Sequence, residues 1–191
     1  MARVAGFVLV RLAQWALSRG EYARAERLFT VVLRLTERVL GPTDVLAGSV
    51  LSDLALVYRY QGRYQQAEQA FRRAHAIFLA ARGAVTREMA ALRQGKSDPA
   101  EAEKVFRRAI GVFERIDGPE HERVAASLTS LGALYYARGD AAEAERFYRR
   151  ALAIKRKRLG ARHPEVATTA DHLALVYRSE GRHAEADALY Q

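Results

Sequence analysis

The stretch LGALYYARGDAAEAERFYRRALAI, residues 131–154, contains the pattern that decides the fold. Before Gly139, large apolar residues recur at helical spacing: Leu131, Leu134 and Tyr135. After it, a small–large–small stripe follows at spacings of four and three: Ala144, Tyr148 and Ala151. A glycine between two such segments favours the end of a helix, because glycine enters the left-handed conformation without strain. The stretch therefore predicts two amphipathic helices joined by a short turn.

Five related segments are spread along the chain: GEYARAERLF, GRYQQAEQAF, SDPAEAEKVF, GDAAEAERFY and GRHAEADALY. They begin at Gly20, Gly62, Ser97, Gly139 and Gly181, so the steps are 42, 35, 42 and 42 residues. A period of this length predicts a stacked array, because so short a unit cannot bury its own apolar face. We expect one array over residues 1–191, with units of approximately 4–41, 46–83, 84–118, 122–160 and 164–191, the last incomplete.

Small residues occupy the positions where the two helices of a pair must approach each other. They are Ala55, Gly132 and Ala174 on the first helices, and Ala67, Ala144 and Ala186 on the second. We expect Phe71 and Tyr148 to fill the space between one pair and the next.

The first and third copies depart from the pattern. Copy one has Ala16 and Val32 where tyrosine and alanine are expected. In copy three, Ser97 replaces the glycine, and Gly83 and Gly95 bracket the first helix. We therefore expect that helix to be short or irregular.

Composition indicates an ordered soluble protein, with 50% hydrophobic and 28% charged residues among 191. The absence of cysteine excludes disulfides and thiolate metal sites, and it is typical of a reducing compartment, so we expect a cytoplasmic location. The net charge is +9, but basic residues alternate with glutamates in every repeat, which favours a solvated surface over a polyanion site. The apolar run at 4–10 is short, is interrupted by Arg11 and is in register with later repeats, so we interpret it as a repeat helix and not a targeting signal.

Catalytic and metal-binding patterns are not found. The histidines have no metal-ligand spacing; His121 and His163 stand at equivalent helix starts, while the others are His75, His172 and His183. The glutamate pairs 101/103 and 143/145 begin second helices, where they favour the positive helix end. No phosphate-binding loop or nucleophile elbow occurs. We expect no enzyme activity, cofactor or metal.

Two sets of basic residues have a structural interpretation. The run Lys155–Arg158 closes a second helix, which favours a solvated helix end, with a polyanion or partner contact as the alternative. The pairs 72/73, 107/108 and 149/150 recur at one repeat position, and we expect them on the outer face.

These residues resemble the tetratricopeptide repeat, whose pattern is leucine, small residue, tyrosine, and then alanine, phenylalanine, alanine. Copy two matches at Leu54, Ala55, Tyr58, Ala67, Phe71 and Ala74, and copy four at Leu131, Gly132, Tyr135, Ala144, Tyr148 and Ala151. The 42-residue step and the linker GARHPEVA, residues 160–167, are similar to the kinesin-light-chain variety. The resemblance implies an all-α, right-handed α-solenoid of stacked antiparallel helix pairs that binds protein or peptide and catalyses no reaction. The heptad segment of true kinesin light chains is missing, so a transport role is not implied.

The resemblance also implies a concave groove lined by fixed positions of the first helices. The peptide-binding residues it selects are Ser52, Leu56, Arg59, Arg87, Thr129, Tyr136, Asp171, Leu175 and Arg178, with Ala91, Gln94 and Ala133 completing the lining. Because arginine pairs bidentately with carboxylates, we predict a peptide that carries Asp or Glu beside an apolar anchor. Alternatively, these arginines pair with neighbouring acids such as Asp53 and Asp171.

Two further functions stay open. The chain could be a basic helical array that contacts nucleic acid, or a sensor segment of a larger multidomain signalling protein. Apolar residues at both ends also predict self-association through the terminal repeats, and no membrane partner is expected.

Overall fold

The structure, a computed structural model, describes residues 2–94 and 98–190, with side chains described at 8–92 and 98–190. These residues form nine α-helices and no strand. The helices are α1 Ala2–Ser18, α2 Tyr22–Leu40, α3 Val45–Tyr60, α4 Tyr64–Gln94, α5 Pro99–Ile116, α6 Glu122–Ala137, α7 Ala141–Leu159, α8 Pro164–Ser179 and α9 His183–Ala188. The predicted all-α class is confirmed.

The chain divides into two compact units, Met1–Gly83 and Ala84–Gln191. In the first unit α1 packs on α2 and α2 on α3. Its core combines residues from every helix of the unit, including Ala16, Phe29, Leu51, Leu54 and Ile77. The interpretation of the first segment as a repeat helix is therefore confirmed. No helix in the described ranges is both long and apolar enough to cross a membrane.

In the second unit, helices that are adjacent in sequence pack in succession from α5 to α9. The small residues lie where predicted: Ala144, Ala174 and Ala186 are buried, and Gly132 lies against the ring of Tyr148. That ring also stacks on His172 of α8, with centroids 5.4 Å apart. Tyr148 therefore fills the space between one helix pair and the next, as predicted.

Glycines end the helices, and polar caps start the next ones. Gly160, with φ of 85°, separates α7 from α8. His163 then accepts a hydrogen bond at Nδ1 from the Glu165 N–H at 3.2 Å, and His121 accepts one from the Arg123 N–H at 3.2 Å. Asp44 caps α3 in the same way, from the Leu46 N–H at 2.8 Å. The prediction that both histidines serve helix starts is confirmed.

The predicted irregular helix of the third copy is wrong over the described residues. Helix α4 runs without a break from Tyr64 through Gly83 to Gln94, so no turn separates the second helix of copy two from the first helix of copy three. A proline follows Gly41, Gly118 and Gly160 within one to four positions, whereas none follows Gly83 until Pro99. Without such a stop signal, glycine costs only about 1 kcal/mol inside a helix, and the helix continues. Gly95 and Ser97 lie outside the described residues.

The prediction for Phe71 is also wrong. Tyr148, its counterpart, is covered by the helix that follows after a turn, but Phe71 is 38% exposed. Helix α4 continues beyond Gly83, so no turn follows Phe71 at the position equivalent to the α7–α8 connection. The buried face of this part of α4 is formed instead by Ala67, Ala70, Ala74 and Ile77.

Candidate functional site

The second unit presents two predicted triads on neighbouring helices. Thr129, Ala133 and Tyr136 lie on α6, and Asp171, Leu175 and Arg178 occupy the equivalent positions one repeat later on α8. Each triad has helical spacing of four and three, which places its members on one side of its helix. The two helices contact each other. We call these six residues the first-helix face of the second unit.

The exposed members of this face are chemically varied. Tyr136 is 38% exposed and Leu175 is 48% exposed, and Arg178 is also exposed. Thr129 is half-buried, and its hydroxyl donates to the Ala125 carbonyl oxygen at 2.9 Å within the same helix. An aromatic ring, an aliphatic side chain and a guanidinium are therefore available to a ligand.

The acidic groups near Arg178 differ from those expected. Asp171 accepts a hydrogen bond at 2.9 Å from the Tyr190 hydroxyl. Burial and this bond raise the pKa of Tyr190. The guanidinium of Arg178 lies 3.9 Å from the carboxylate of Asp187, in an exposed pair that contributes little free energy. Arg178 thus pairs with Asp187 and not with Asp171, and much of its guanidinium is exposed to solvent.

In the first unit, the predicted residues lie on α3. The Ser52 hydroxyl donates to the Gly48 carbonyl oxygen at 3.1 Å, Leu56 is half-buried, and Arg59 is exposed with its guanidinium 5.8 Å from the Tyr60 ring centre. Asp53, a predicted partner of these arginines, instead accepts from the Gln14 amide of α1 at 3.4 Å.

The burial of Asp53 raises the pKa of its carboxyl, and the hydrogen bond from Gln14 opposes that shift. Gln14 occupies the position in copy one that Leu56 occupies in copy two, and the sequence analysis did not select it.

Arg87 lies on the continuous helix α4, in the second unit, where it and Ala91 are exposed. The side chain of Gln94 lies outside the described residues. The nine predicted peptide-binding residues therefore divide into three in the first unit and six in the second.

Half-buried glutamate clusters are a feature that the sequence predictions did not include. Glu145 accepts hydrogen bonds from Arg182 at 2.6 Å, from the Tyr177 hydroxyl at 3.1 Å and from Arg149 at 3.2 Å. These donors, with Arg182 contributing most, lower the pKa of Glu145 against the opposing effect of burial. Arg182 also lies over the Tyr177 ring, 4.2 Å from its centre.

The same arrangement recurs around Glu103. This carboxylate accepts from the Tyr135 hydroxyl at 2.6 Å, from Arg138 at 2.6 Å and from Arg107 at 2.9 Å. The hydrogen bond from Tyr135, followed by those from Arg107 and Arg138, lowers the pKa of Glu103 to about 2. In the first unit Glu26 is bound similarly, by Arg63 at 2.8 Å.

The sequence signal for these clusters is a glutamate followed by tyrosine 32 residues later and by arginine 35 to 37 residues later. The helix-dipole interpretation of Glu103 and Glu145 was therefore incomplete. Both carboxylates join one helix pair to the next.

The basic run at the end of α7 is similarly engaged. Lys155 is buried, with Nζ 3.2 Å from Glu165, Lys157 lies 2.5 Å from Glu120, and Arg156 donates to the Leu189 carbonyl oxygen at 3.2 Å. The solvated-end interpretation is wrong for Lys155, whereas Arg156, Lys157 and Arg158 are exposed, as that interpretation expects. Among the described residues, no three histidine, aspartate or glutamate side chains converge to hold a metal ion.

Comparison with known proteins places these features in context. A family model described as tetratricopeptide repeat matches residues 5–80, 82–157 and 131–191. No curated protein matches the chain.

Among solved structures, BtubC (BKLC) from P. vanneervenii is 26% identical, with 95% of this chain and 75% of that chain covered and a TM-score of 0.47. Nearly identical TPR-like repeats from a Podosopora anserina protein of the kinesin-light-chain type are 21% identical, covering 99% and 92%, with a TM-score of 0.42. The MamA protein is 18% identical, covering 97% and 87%, with a TM-score of 0.44.

Proposed function

The chain belongs to the tetratricopeptide repeat family, and on that premise we propose that it is a non-catalytic scaffold that binds acidic, partly apolar peptide segments. The predicted family is thereby confirmed, and a fold of this family is typical of protein–protein interaction. We also propose that residues 1–191 form one array of the five units given above, with α4 shared by units two and three.

One observation carries the peptide proposal: Tyr136, Leu175 and Arg178 are exposed on neighbouring first helices of the second unit. An extended peptide could place a carboxylate on the Arg178 guanidinium, whose planar fork matches it bidentately. An apolar side chain one or two residues away would contact Leu175, and Tyr136 offers a flat, partly apolar surface. Three different contacts on adjacent helices favour a short peptide over a small ion.

The first unit offers a smaller version of the same chemistry. On α3, Arg59 is exposed beside the half-buried Leu56, with Ser52 one turn before. We propose that this face binds the same class of peptide independently. Arg87 is proposed as a further carboxylate contact in the second unit.

The test is a titration of an acidic–aromatic peptide library against the full chain, with Arg178→Ala and Arg59→Ala as variants and Arg158→Ala as the matched control. Loss of a charge-assisted hydrogen bond, worth roughly 1.5–3 kcal/mol, should weaken the best peptide by about 10- to 100-fold in Arg178→Ala. The control should bind like the wild type, because Arg158 is exposed on a second helix.

Unchanged binding by both Arg178→Ala and Arg59→Ala would place the peptide site elsewhere. Tighter binding of DNA than of any peptide would favour the nucleic-acid alternative. In that case the affinity should fall steeply with salt, because counterion release drives such binding.

A further inference from the structure

Among the side chains that the structure describes on α1 and α2, five large apolar ones are between 41% and 51% exposed. They are Val8, Leu12 and Trp15 on α1 and Val31 and Leu35 on α2. We call these five residues the N-terminal surface. They lie in the first unit, and they are separate from Ser52, Leu56 and Arg59 on α3.

The repeat itself shows what such positions normally contact. In copy two, 42 residues later, the three α1 positions are Val50, Leu54 and Val57, and in copy five they are Thr169, Leu173 and Val176. All six are buried. The position of Leu35 is Ile77 in copy two and Ile154 in copy four, and both are buried. In copies two and five the first helix that carries these positions packs on the second helix of the preceding pair.

The charged positions around the surface follow the same rule. Arg19 corresponds to Arg138, which donates to Glu103 of the preceding pair at 2.6 Å. Arg38 corresponds to Lys157, which lies 2.5 Å from Glu120 before it. The repeat thus places an acidic group opposite both positions: Glu103 of the preceding pair at Arg138, and Glu120 of the connection before α6 at Lys157.

In copy one no such acid is provided. Residues 1–20 contain neither Asp nor Glu, and within the described part of the chain no carboxylate pairs with Arg11, Arg19 or Arg38. The glutamates of α2 are engaged elsewhere, Glu26 by Arg63 and Glu37 by Arg73. The Arg19 guanidinium lies 4.6 Å from the centre of the Trp15 ring, at the edge of the surface.

We propose that the N-terminal surface binds an acidic amphipathic helix. Its apolar stripe packs on Leu12, Trp15 and Leu35, and its flanking glutamates meet Arg19 and Arg38 as Glu103 meets Arg138. A second copy that presented the same surface would bring arginine against arginine, so charge complementarity favours an acidic partner.

The probe is a fluorescein-labelled, 20-residue helical peptide with leucines at positions i, i+3, i+4 and i+7 of each two turns and glutamates beside them. Its matched control has lysines in place of the glutamates. Anisotropy titrations use the full chain, the variant Leu12→Ser/Leu35→Ser, the variant Leu175→Ser of the first-helix face, and the control variant Leu79→Ser, whose leucine is 45% exposed on α4. We expect the double variant to weaken binding of the acidic peptide by about tenfold or more, and the control to leave it unchanged.

A charge-swap variant tests the surface through a reversed preference between the two peptides, which a misfolded protein would not show. Arg19→Glu/Arg38→Glu should bind the lysine peptide more tightly than the acidic one, the reverse of the wild type. Equal affinity of the wild type for both peptides would overturn the proposal. The proposal would also be overturned if the mass of the wild type in solution rose with protein concentration and the Leu12→Ser/Leu35→Ser variant did not show this rise. The surface would then be assigned to self-association. Weakening by Leu175→Ser alone would instead locate the peptide on the first-helix face, and would support the proposed function rather than this inference.

Discussion

Replacing Gly132 by alanine tests how closely the helices of the fourth pair approach each other. A Cβ atom at this position would lie 2.9 Å from both Cδ1 and Cε1 of Tyr148. The ring cannot simply move away, because only 2% of Tyr148 is exposed and it stacks on His172 on its other side.

The expected magnitude follows from two opposing effects. Overpacking of a filled core costs about 1–3 kcal/mol. The exchange of glycine for alanine inside a helix returns about 0.5–1 kcal/mol. Gly132→Ala should therefore lower the free energy of unfolding by up to about 2.5 kcal/mol, the difference between those two terms.

Gly111→Ala is the matched control, since Gly111 also lies inside a helix and has no atom within 4 Å of its Cβ position. That variant should be stabilised by about 0.5–1 kcal/mol. Urea denaturation followed by circular dichroism measures both. In the Tyr148→Leu background, which removes the ring, Gly132→Ala should lower the free energy of unfolding much less than it does in the wild type. If both glycine variants were stabilised equally in the wild-type background, the close approach at Gly132 would be refuted.

Three other changes test individual features of the fold. In the folded chain the pKa of the Glu103 carboxyl is lowered from its ordinary value of 4.5 to about 2, so its stabilising effect is present above pH 4.5 and is lost as pH falls toward 2. The stability of Glu103→Gln should therefore fall less steeply than that of the wild type on acidification, and equal slopes would exclude the cluster. His163→Ala should lose about 0.5–2 kcal/mol by removing a helix cap, whereas His163→Asp should retain the cap, as thermal unfolding would show. Gly83→Ala should stabilise the chain by about 0.5–1 kcal/mol if α4 is continuous, and a destabilised variant would indicate a left-handed glycine at that position.

Much of the fold could be predicted from local signals. The glycines at 139 and 160 mark real helix ends, and the small residue at 132 marks a real close approach, because each depends on backbone geometry within its own repeat. The continuity of α4 was missed because Gly83 was interpreted by its residue type alone. The absence of a proline in the positions after it was the available signal.

The candidate site was predicted less completely. Register alone placed Tyr136, Leu175 and Arg178 on exposed positions, since a helical repeat fixes which side of a helix a residue occupies. The groups that those residues contact could not be read from register. The approach of Asp187 to Arg178 depends on how the chain turns after α8, and the Glu103 and Glu145 clusters join residues more than thirty positions apart.

The central claim, that exposed first-helix residues bind an acidic and partly apolar peptide, is tested most directly by NMR chemical-shift mapping. The best peptide from the library is added to isotope-labelled full chain, and the perturbed amide and methyl signals are assigned. We predict the largest chemical-shift changes at Tyr136, Leu175 and Arg178. The changes at these three residues should saturate at the same peptide concentration. Shifts confined to Val8, Leu12 and Leu35, or no saturable shift on α6 and α8, would contradict it.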